Sequence, residues 1–280
     1  MNRYEPLVRR SFISQLGKGV LGIVVLGAGA CSDEVTVTTA GMTSTSRAPL
    51  PTTTSGATSA APTTTASPPT TVAPVAGGMA VTRVMLGSVS AYVLVRATEA
   101  VIVDTGVSGS AGTIEESLVS VGLGWGDVGH VILTHLHPDH IGSLGDVMAG
   151  ASAAVGYAGA ADIPGISSPR PLEPVGTGDS VFGLDIVSTP GHTPGHISVF
   201  DPIGKALITG DALNGLGSGV DGADAAGVGG PNPRFTPDMT TALSSVEVLA
   251  TLRPDAVFFG HGEPLVQGAA AALETLAGQT

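Results

Sequence analysis

Thr134-His135-Leu136-His137-Pro138-Asp139-His140 packs three imidazoles and one carboxylate into six residues, directly after the apolar run Val131-Ile132-Leu133. Side chains in an extended segment repeat every second residue, so His135 and His137 share one face as the strand ends. Asp139 and His140 follow where the strand gives way to a turn or helix. A divalent ion takes neutral imidazole nitrogen or carboxylate oxygen at about 2 Å, and a catalytic ion keeps a position open for water. A lone histidine is usually solvated or hydrogen-bonded. Crowded imidazoles beside a desolvated carboxylate are unfavourable unless a cation joins them. One ion could therefore use His135 and His137, and a second Asp139 and His140.

Working outward, more groups of ligand type close apolar runs. These are Thr189-Pro190-Gly191-His192-Thr193-Pro194-Gly195-His196, then Thr209-Gly210-Asp211, then Gly260-His261-Gly262. Upstream lie Tyr92-Val93-Leu94-Val95 and Val101-Ile102-Val103-Asp104-Thr105-Gly106. Taken in order, with His135-x-His137-x-Asp139-His140 at the centre, these motifs resemble the metallo-β-lactamase superfamily over about residues 80 to 265. That resemblance implies an α+β fold, the αββα four-layer sandwich, and two divalent ions. It assigns His196 to the first ion with His135 and His137, and His261 to the second with Asp139 and His140. Asp211 bridges both. It leaves His192 off the metal in a loop hydrogen bond, and Asp104 as a supporting acid.

Such a ligand set suits zinc, while iron and manganese also accept it. His137, in place of a Glu, leans against the oxygen-reducing di-iron relatives. The reaction expected by resemblance is attack of a metal-bridging hydroxide on a carbonyl carbon, with Asp139 as the catalytic residue that ligates and orients the hydroxide. Bridging Asp211 is similar to the glyoxalase II-like (hydroxyacylglutathione hydrolase) and lactonase branches. Against the first, no extra C-terminal helical region of the kind that binds glutathione is expected after His261. Against the second, Asn214 replaces the lactonase tyrosine. The expected function is hydrolysis of a small ester, thioester, lactone or amide. The alternatives are a β-lactam hydrolase or a non-catalytic metal-binding surface module.

Charge narrows the partners. Residues 79–280 carry 6 basic and 20 acidic side chains, a net charge of −14 before any metal. That surface repels a phosphate backbone, so a small-molecule substrate is expected and nucleic acid is not.

The chain ahead of this region differs in texture. Residues 1–30 read as an export signal, with Arg3, Arg9, Arg10 and Lys18 before the apolar run Val20 to Ala30. That run is shorter than the roughly 20 residues a membrane span needs. Arg9-Arg10-Ser11-Phe12-Ile13 resembles a twin-arginine signal. The sole cysteine, Cys31, follows Ala28-Gly29-Ala30, and we read it as a lipidation site that anchors the exported protein to the outer face of the cytoplasmic membrane. The same residues also satisfy ordinary cleavage after Ala30 and a secreted product. In residues 32–78, Thr, Pro, Ser and Ala make up 34 of 47. Such a stretch buries too little apolar surface to offset its ordering entropy and reads as a disordered tether after Cys31, up to 78.

Residues 79–280 are the expected folded domain. Strands are expected at Val81 to Leu86, Ala91 to Arg96, Val101 to Asp104, Val128 to Leu133, Val181 to Ser188, Ile197 to Asp201, Ala206 to Thr209 and Ala256 to Phe259. Helices are expected at Ser110 to Val121, from a Thr236-Pro237 start to about Leu252, and at Leu265 to Leu276. His130 is read as a loop or surface residue. The Gly-rich loop Leu213 to Arg234 is expected to lie over the site.

Overall fold

A period of two in the strands decides the layering. In β3 (Val89–Arg96), Ala91 and Val93 point to one side and Tyr92 and Leu94 to the other. In β4 (Glu99–Val103), Ala100 and Ile102 oppose Val101 and Val103. In β5 (Val128–Leu133), Val131 and Leu133 oppose Ile132. All these side chains are buried, so both faces of the sheet must be covered. In the computed structural model, which describes residues 71–72, 77–216 and 227–280, that is the arrangement found.

The first sheet has seven strands in chain order: β1 (Thr71–Val72), β2 (Ala80–Leu86), β3, β4, β5, β6 (Val155–Gly159) and β7 (Leu172–Val175). The strands pair antiparallel from β1 to β4 and parallel from β4 to β7. The second sheet runs in the order β12 (Ala256–Phe258), β11 (Ala206–Ile208), β10 (Ile197–Asp201), β9 (Leu184–Ser188) and β8 (Ser180–Val181). Three cores fill the three gaps between four layers. Helices α1 (Ala111–Ser120), α2 (Pro138–Ile141) and α3 (Leu144–Gly150) lie on the outer face of the first sheet through Ile114, Leu118, Ile141, Leu144, Val147 and Met148. Tyr92, Leu94 and Ile132 meet Ile186, Val199 and Phe258 between the sheets. Helices α4 (Met239–Thr251) and α5 (Ala269–Ala277) cover the second sheet with Val246, Leu249, Leu273 and Leu276. The expected αββα sandwich is thus present.

Several local expectations are corrected. The tether was expected to reach 78, yet Thr71 and Val72 pair with Thr82 and Val81, because the edge of β2 offers free backbone groups to any extended neighbour. The strand expected at Val181 to Ser188 is a hairpin folded at Phe182-Gly183, and both of these residues have positive φ. Helix α4 is capped by Asp238, whose Oδ1 accepts the Thr241 amide at 3.0 Å, and not by Thr236. The last helix begins at Ala269; Leu265 instead pairs with Val257 as a β-bridge. His130 lies within β5, its Nδ1 3.2 Å from the Tyr157 hydroxyl and its ring against Phe182, and burial lowers its pKa. Cys31, residues 1–30 expected as an export signal, and residues 32–70 and 73–76 of the expected tether lie outside the described residues. Among those described, no helix is long and apolar enough to cross a membrane.

Candidate metal centre

Strand ends deliver the ligand-type residues to one edge of the sandwich. His135 and His137 leave the end of β5, and Pro138 then starts α2, which turns Asp139 and His140 back over the same edge. His192 and His196 sit in the connection between β9 and β10, Asp211 follows β11, and His261 follows β12. Gly260, next to His261, leaves room for Asp211 and His140: a Cβ there would lie 2.2 Å from Asp211 Oδ1 and 2.7 Å from His140 Cε1.

Two groups of donors form around Asp211. In the first, His137 Nδ1 is 3.0 Å from His135 Nε2 and 2.9 Å from His192 Nε2, and His192 Nε2 is 3.5 Å from Asp211 Oδ2. In the second, His261 Nε2 is 3.3 Å from Asp139 Oδ2 and 3.5 Å from Asp211 Oδ2, while His140 Nε2 is 3.3 Å from Asp211 Oδ1. The sets His135–His137–His192 and Asp139–His140–His261 could each hold an ion, and His135, His140 and Asp211 form a third set between them. His140 Nε2 and Asp211 Oδ1 are buried, face each other at 3.3 Å and have no hydrogen-bond partner among the described residues. Three imidazole nitrogens at about 3 Å cannot all be satisfied by one another's protons. Both observations fit a cation-binding site.

This geometry corrects the expected ligand set at one position. His196, expected with His135 and His137, is turned away: its Nε2 accepts the Asp211 backbone N–H at 3.1 Å. That lone pair is used, so Nδ1 carries the proton and faces Thr189 Oγ1 at 2.8 Å. Burial pushes its pKa down to about 3, in keeping with a neutral, fully engaged ring. His192, not His196, groups with His135 and His137. Thr236 Oγ1 holds its Nδ1 at 3.1 Å, which aims Nε2 at the cluster, and burial lowers its pKa to about 4. Two histidines four residues apart offered no local signal for choosing between them. The register of β10 supplies one: His196 and Ser198 fall on the same side of the chain and both meet Thr189.

The supporting groups set which nitrogen points inward. Asp104, buried with φ of 62°, accepts the Thr134 amide at 2.7 Å and the Thr134 hydroxyl at 2.8 Å, and its Oδ2 lies 2.8 Å from His140 Nδ1. Having given its proton to Asp104, Thr134 Oγ1 accepts from His135 Nδ1 at 3.0 Å, which frees His135 Nε2. Asp104 thus orients His140 directly and His135 through Thr134, and it belongs to none of the three candidate ligand groups. Burial works against a charged His140, but Asp211 and Asp104 hold its pKa well above the usual imidazole range. Hydrogen bonds to Asp139 and Asp211 push His261 up to about 10. Burial would raise Asp211, yet His140 beside it holds its carboxyl well below the usual range. The His261 hydrogen bond likewise lowers Asp139.

Arg83 was missed by the sequence reading. Buried in β2, it donates from Nε to Ser90 Oγ at 2.8 Å, from Nη2 to the Gly262 carbonyl at 2.6 Å and from Nη1 to Glu263 at 2.8 Å. With Tyr92 Oη donating to the Phe259 carbonyl at 2.5 Å and His261 Nδ1 held at 2.8 Å from the Ser88 carbonyl, it clasps the turn that carries His261. Arg83→Met keeps the apolar stem but removes the fork, so the affinity for the His261 ion is expected to fall about tenfold. Metal titration of the purified variant checks this.

Comparison with known proteins agrees with the fold and the motif order. The model of the metallo-β-lactamase superfamily matches residues 84–261. A probable metallo-hydrolase of Bacillus subtilis, YflN, is 32% identical in an alignment of 207 positions that covers 59% of this chain and 76% of that protein. A hydroxyacylglutathione hydrolase of Bdellovibrio bacteriovorus is 36% identical over 97 residues, covering 33% of this chain and 38% of the relative. Among solved structures, the metallo-β-lactamase family protein TTHA1429 of Thermus thermophilus superposes with a TM-score of 0.54 at 24% identity, over 68% of this chain and 74% of its own. TTHA1623, solved in a di-iron-bound form, gives 0.52 at 25% identity over 71% and 97%. With the motif order, the layered sandwich and the family match spanning most of the described residues, the chain belongs to the metallo-β-lactamase superfamily, as a hydrolase of that fold.

Proposed function

We propose that this protein hydrolyses an uncharged or weakly charged thioester or ester through a dinuclear metal centre held by His135, His137, His192, Asp139, His140 and His261, with Asp211 between the two ions. The observation that carries the reading is Asp211, whose two oxygens face both histidine groups while its Oδ1 and His140 Nε2 have no other partner among the described residues. Imidazole-rich ligands with two carboxylates favour zinc, and iron or manganese are the alternatives. Two such ions would lower the pKa of a water towards neutrality and polarise a carbonyl. The residues do the rest. Asp139, half-buried beside His261, orients the attacking water through its carboxylate oxygen. Asp104 and Thr134 keep His140 Nε2 and His135 Nε2 pointed inward.

The substrate argument rests on the cavity of about 530 Å³ over the site. Pro138, Leu213, Leu216 and Phe235 form apolar walls, with Leu216 and Phe235 exposed at 48% and 56%. Among the described residues, no Lys or Arg lines it. Such walls suit an apolar acyl chain. The hydroxyacylglutathione hydrolase relatives favour a thioester. A metal-loaded enzyme tested against matched thioesters, esters, lactones, amides and a chromogenic cephalosporin is expected to prefer acyl thioesters or esters. In Phe235→Ala, KM for long-chain substrates is expected to rise about tenfold, the cost of one lost apolar contact of 1–2 kcal/mol. Turnover unchanged by metal removal would refute the mechanism. Bound metal without turnover of any class would favour a non-catalytic binding module, and selective cephalosporin cleavage a β-lactamase.

We also place the enzyme outside the cytoplasm, tethered through lipid on Cys31. The twin-arginine-like start supports this, because a site that assembles only on folding is best loaded before export. Mass spectrometry of the mature N-terminus tests it, and an unmodified Cys31 removes the anchor.

A further inference from the structure

Asp162 lies outside every motif of the site, yet its carboxylate joins two of the loops that build it. It follows β6, is fully buried, and has no Lys, Arg or His partner among the ion pairs of the described residues. Three donors from two loops surround it. Oδ2 accepts the Leu136 backbone N–H at 3.1 Å and the Thr193 hydroxyl at 2.6 Å, and Oδ1 accepts the Gly195 backbone N–H at 2.7 Å. Leu136 stands between His135 and His137, and Thr193 follows His192. The first loop leaves the seven-stranded sheet, and the second links strands of the five-stranded sheet. Hydrogen bonds to an ionised acceptor are the stronger kind, and here they cross the seam that separates the ligands.

The local sequence is cut to admit this contact. A Cβ on Gly195 would lie 2.4 Å from the Asp162 amide nitrogen and 2.7 Å from its Oδ1; one on Gly159 would lie 1.8 Å from the Gly195 carbonyl oxygen. Both glycines bring the three chain segments closer than side chains would allow.

We propose that Asp162 is a positioning residue that sets the separation of His192 from His135 and His137, and so governs the affinity of the first ion and not of the second. Its carboxylate touches no ligand atom. It acts by fixing the peptide planes on which the three imidazoles ride, because a ligand displaced by a fraction of an ångström no longer matches the shell of an ion. The second group, Asp139, His140 and His261, hangs on α2, Asp104 and the turn clasped by Arg83, none of which Asp162 bonds. This inference rests on the dinuclear reading above.

The test is a zinc titration of the metal-free, full-length protein against a chromophoric chelator, with the melting temperature of each metal-free variant measured alongside. In Asp162→Asn, one amide orientation leaves the Gly195 N–H facing a donor and the other leaves the Leu136 N–H so. The first binding step is expected to weaken about 10- to 100-fold while the second stays near wild type. Thr193→Val removes one donor at nearly constant volume and is expected to weaken the same step by a smaller factor. A purely structural role would lower the metal-free melting temperature and leave both steps unmoved. Folded variants that bind both ions as wild type does, or lose both equally, overturn the proposal alone. A wild type that takes up no zinc overturns the dinuclear reading and this proposal with it.

Discussion

His192→Ala is expected to lower kcat/KM on the order of 10³-fold, the scale seen when one member of a group acting as a unit is removed, and to leave about one ion per chain. His196→Ala is expected to keep both ions. The contrast follows from where the two lone pairs point. His192 Nε2 faces His137 and Asp211, whereas His196 Nε2 already accepts the Asp211 amide. Deleting His196 leaves a buried N–H without an acceptor, at a cost of about 1–3 kcal/mol, and loosens Asp211, which lies between the two histidine groups. Metal affinity should then fall about 10- to 100-fold, the range for a support one bond removed from a ligand. His196→Gln, which still offers an acceptor, should recover part of it. Elemental analysis with kcat/KM for both alanine variants decides the assignment, and the opposite ranking would restore His196 as the ligand.

Metal removal is the second large effect, and it carries a pH signature. An ion present at about 100 times its Kd stabilises the folded state by about 2.7 kcal/mol. For a domain of this size each kcal/mol is worth about 2–4 °C, so a chelator should lower the melting temperature by at least about 5 °C near neutral pH or above. In the metal-free protein, hydrogen bonds to Asp139 and Asp211 raise His261 to about 10, and Asp211 with Asp104 raises His140 despite its burial. A raised folded pKa stabilises fully below the ordinary imidazole value, and that stability is lost as pH climbs through the folded value. The metal-free form should therefore weaken from neutral pH towards about 10. An entering ion must displace these same protons, so affinity rises about tenfold per pH unit for each proton released. The chelator-induced drop should be small at pH 6 and large at pH 8.5. A drop independent of pH would show that these two rings are already neutral before the metal arrives.

The parts of this protein that can be read along the chain are those whose meaning is local. His135, His137, Asp139 and His140 are neighbours, so their convergence needs only a strand that ends in a turn. The alternation of Val93 with Tyr92 and Leu94, or of Ile132 with Val131 and Leu133, between the two faces of the sheet is a property of extended backbone, and with apolar residues on both faces it calls for a covered sheet. The Thr/Pro-rich character of residues 32–78 is a matter of composition. The errors fell where the outcome depended on contacts from elsewhere. Val181 to Ser188 has a strand's composition, but Phe182-Gly183 turns it into a hairpin beside Arg96, which donates to the Phe182 carbonyl.

By itself, then, the sequence determined that residues of ligand type would stand at strand ends of a domain that follows a Thr/Pro-rich segment, because ligand spacing and hydrophobic period are properties of short segments, while the αββα order came from the family resemblance. Only the tertiary structure decided that His192 faces the cluster while His196 holds the Asp211 amide, that Asp162 joins loops from two sheets, and that Arg83 clasps the turn of His261. Each of those roles is set by a partner between 15 and 180 residues away, and no local pattern encodes the direction of a side chain towards a neighbour that only folding supplies.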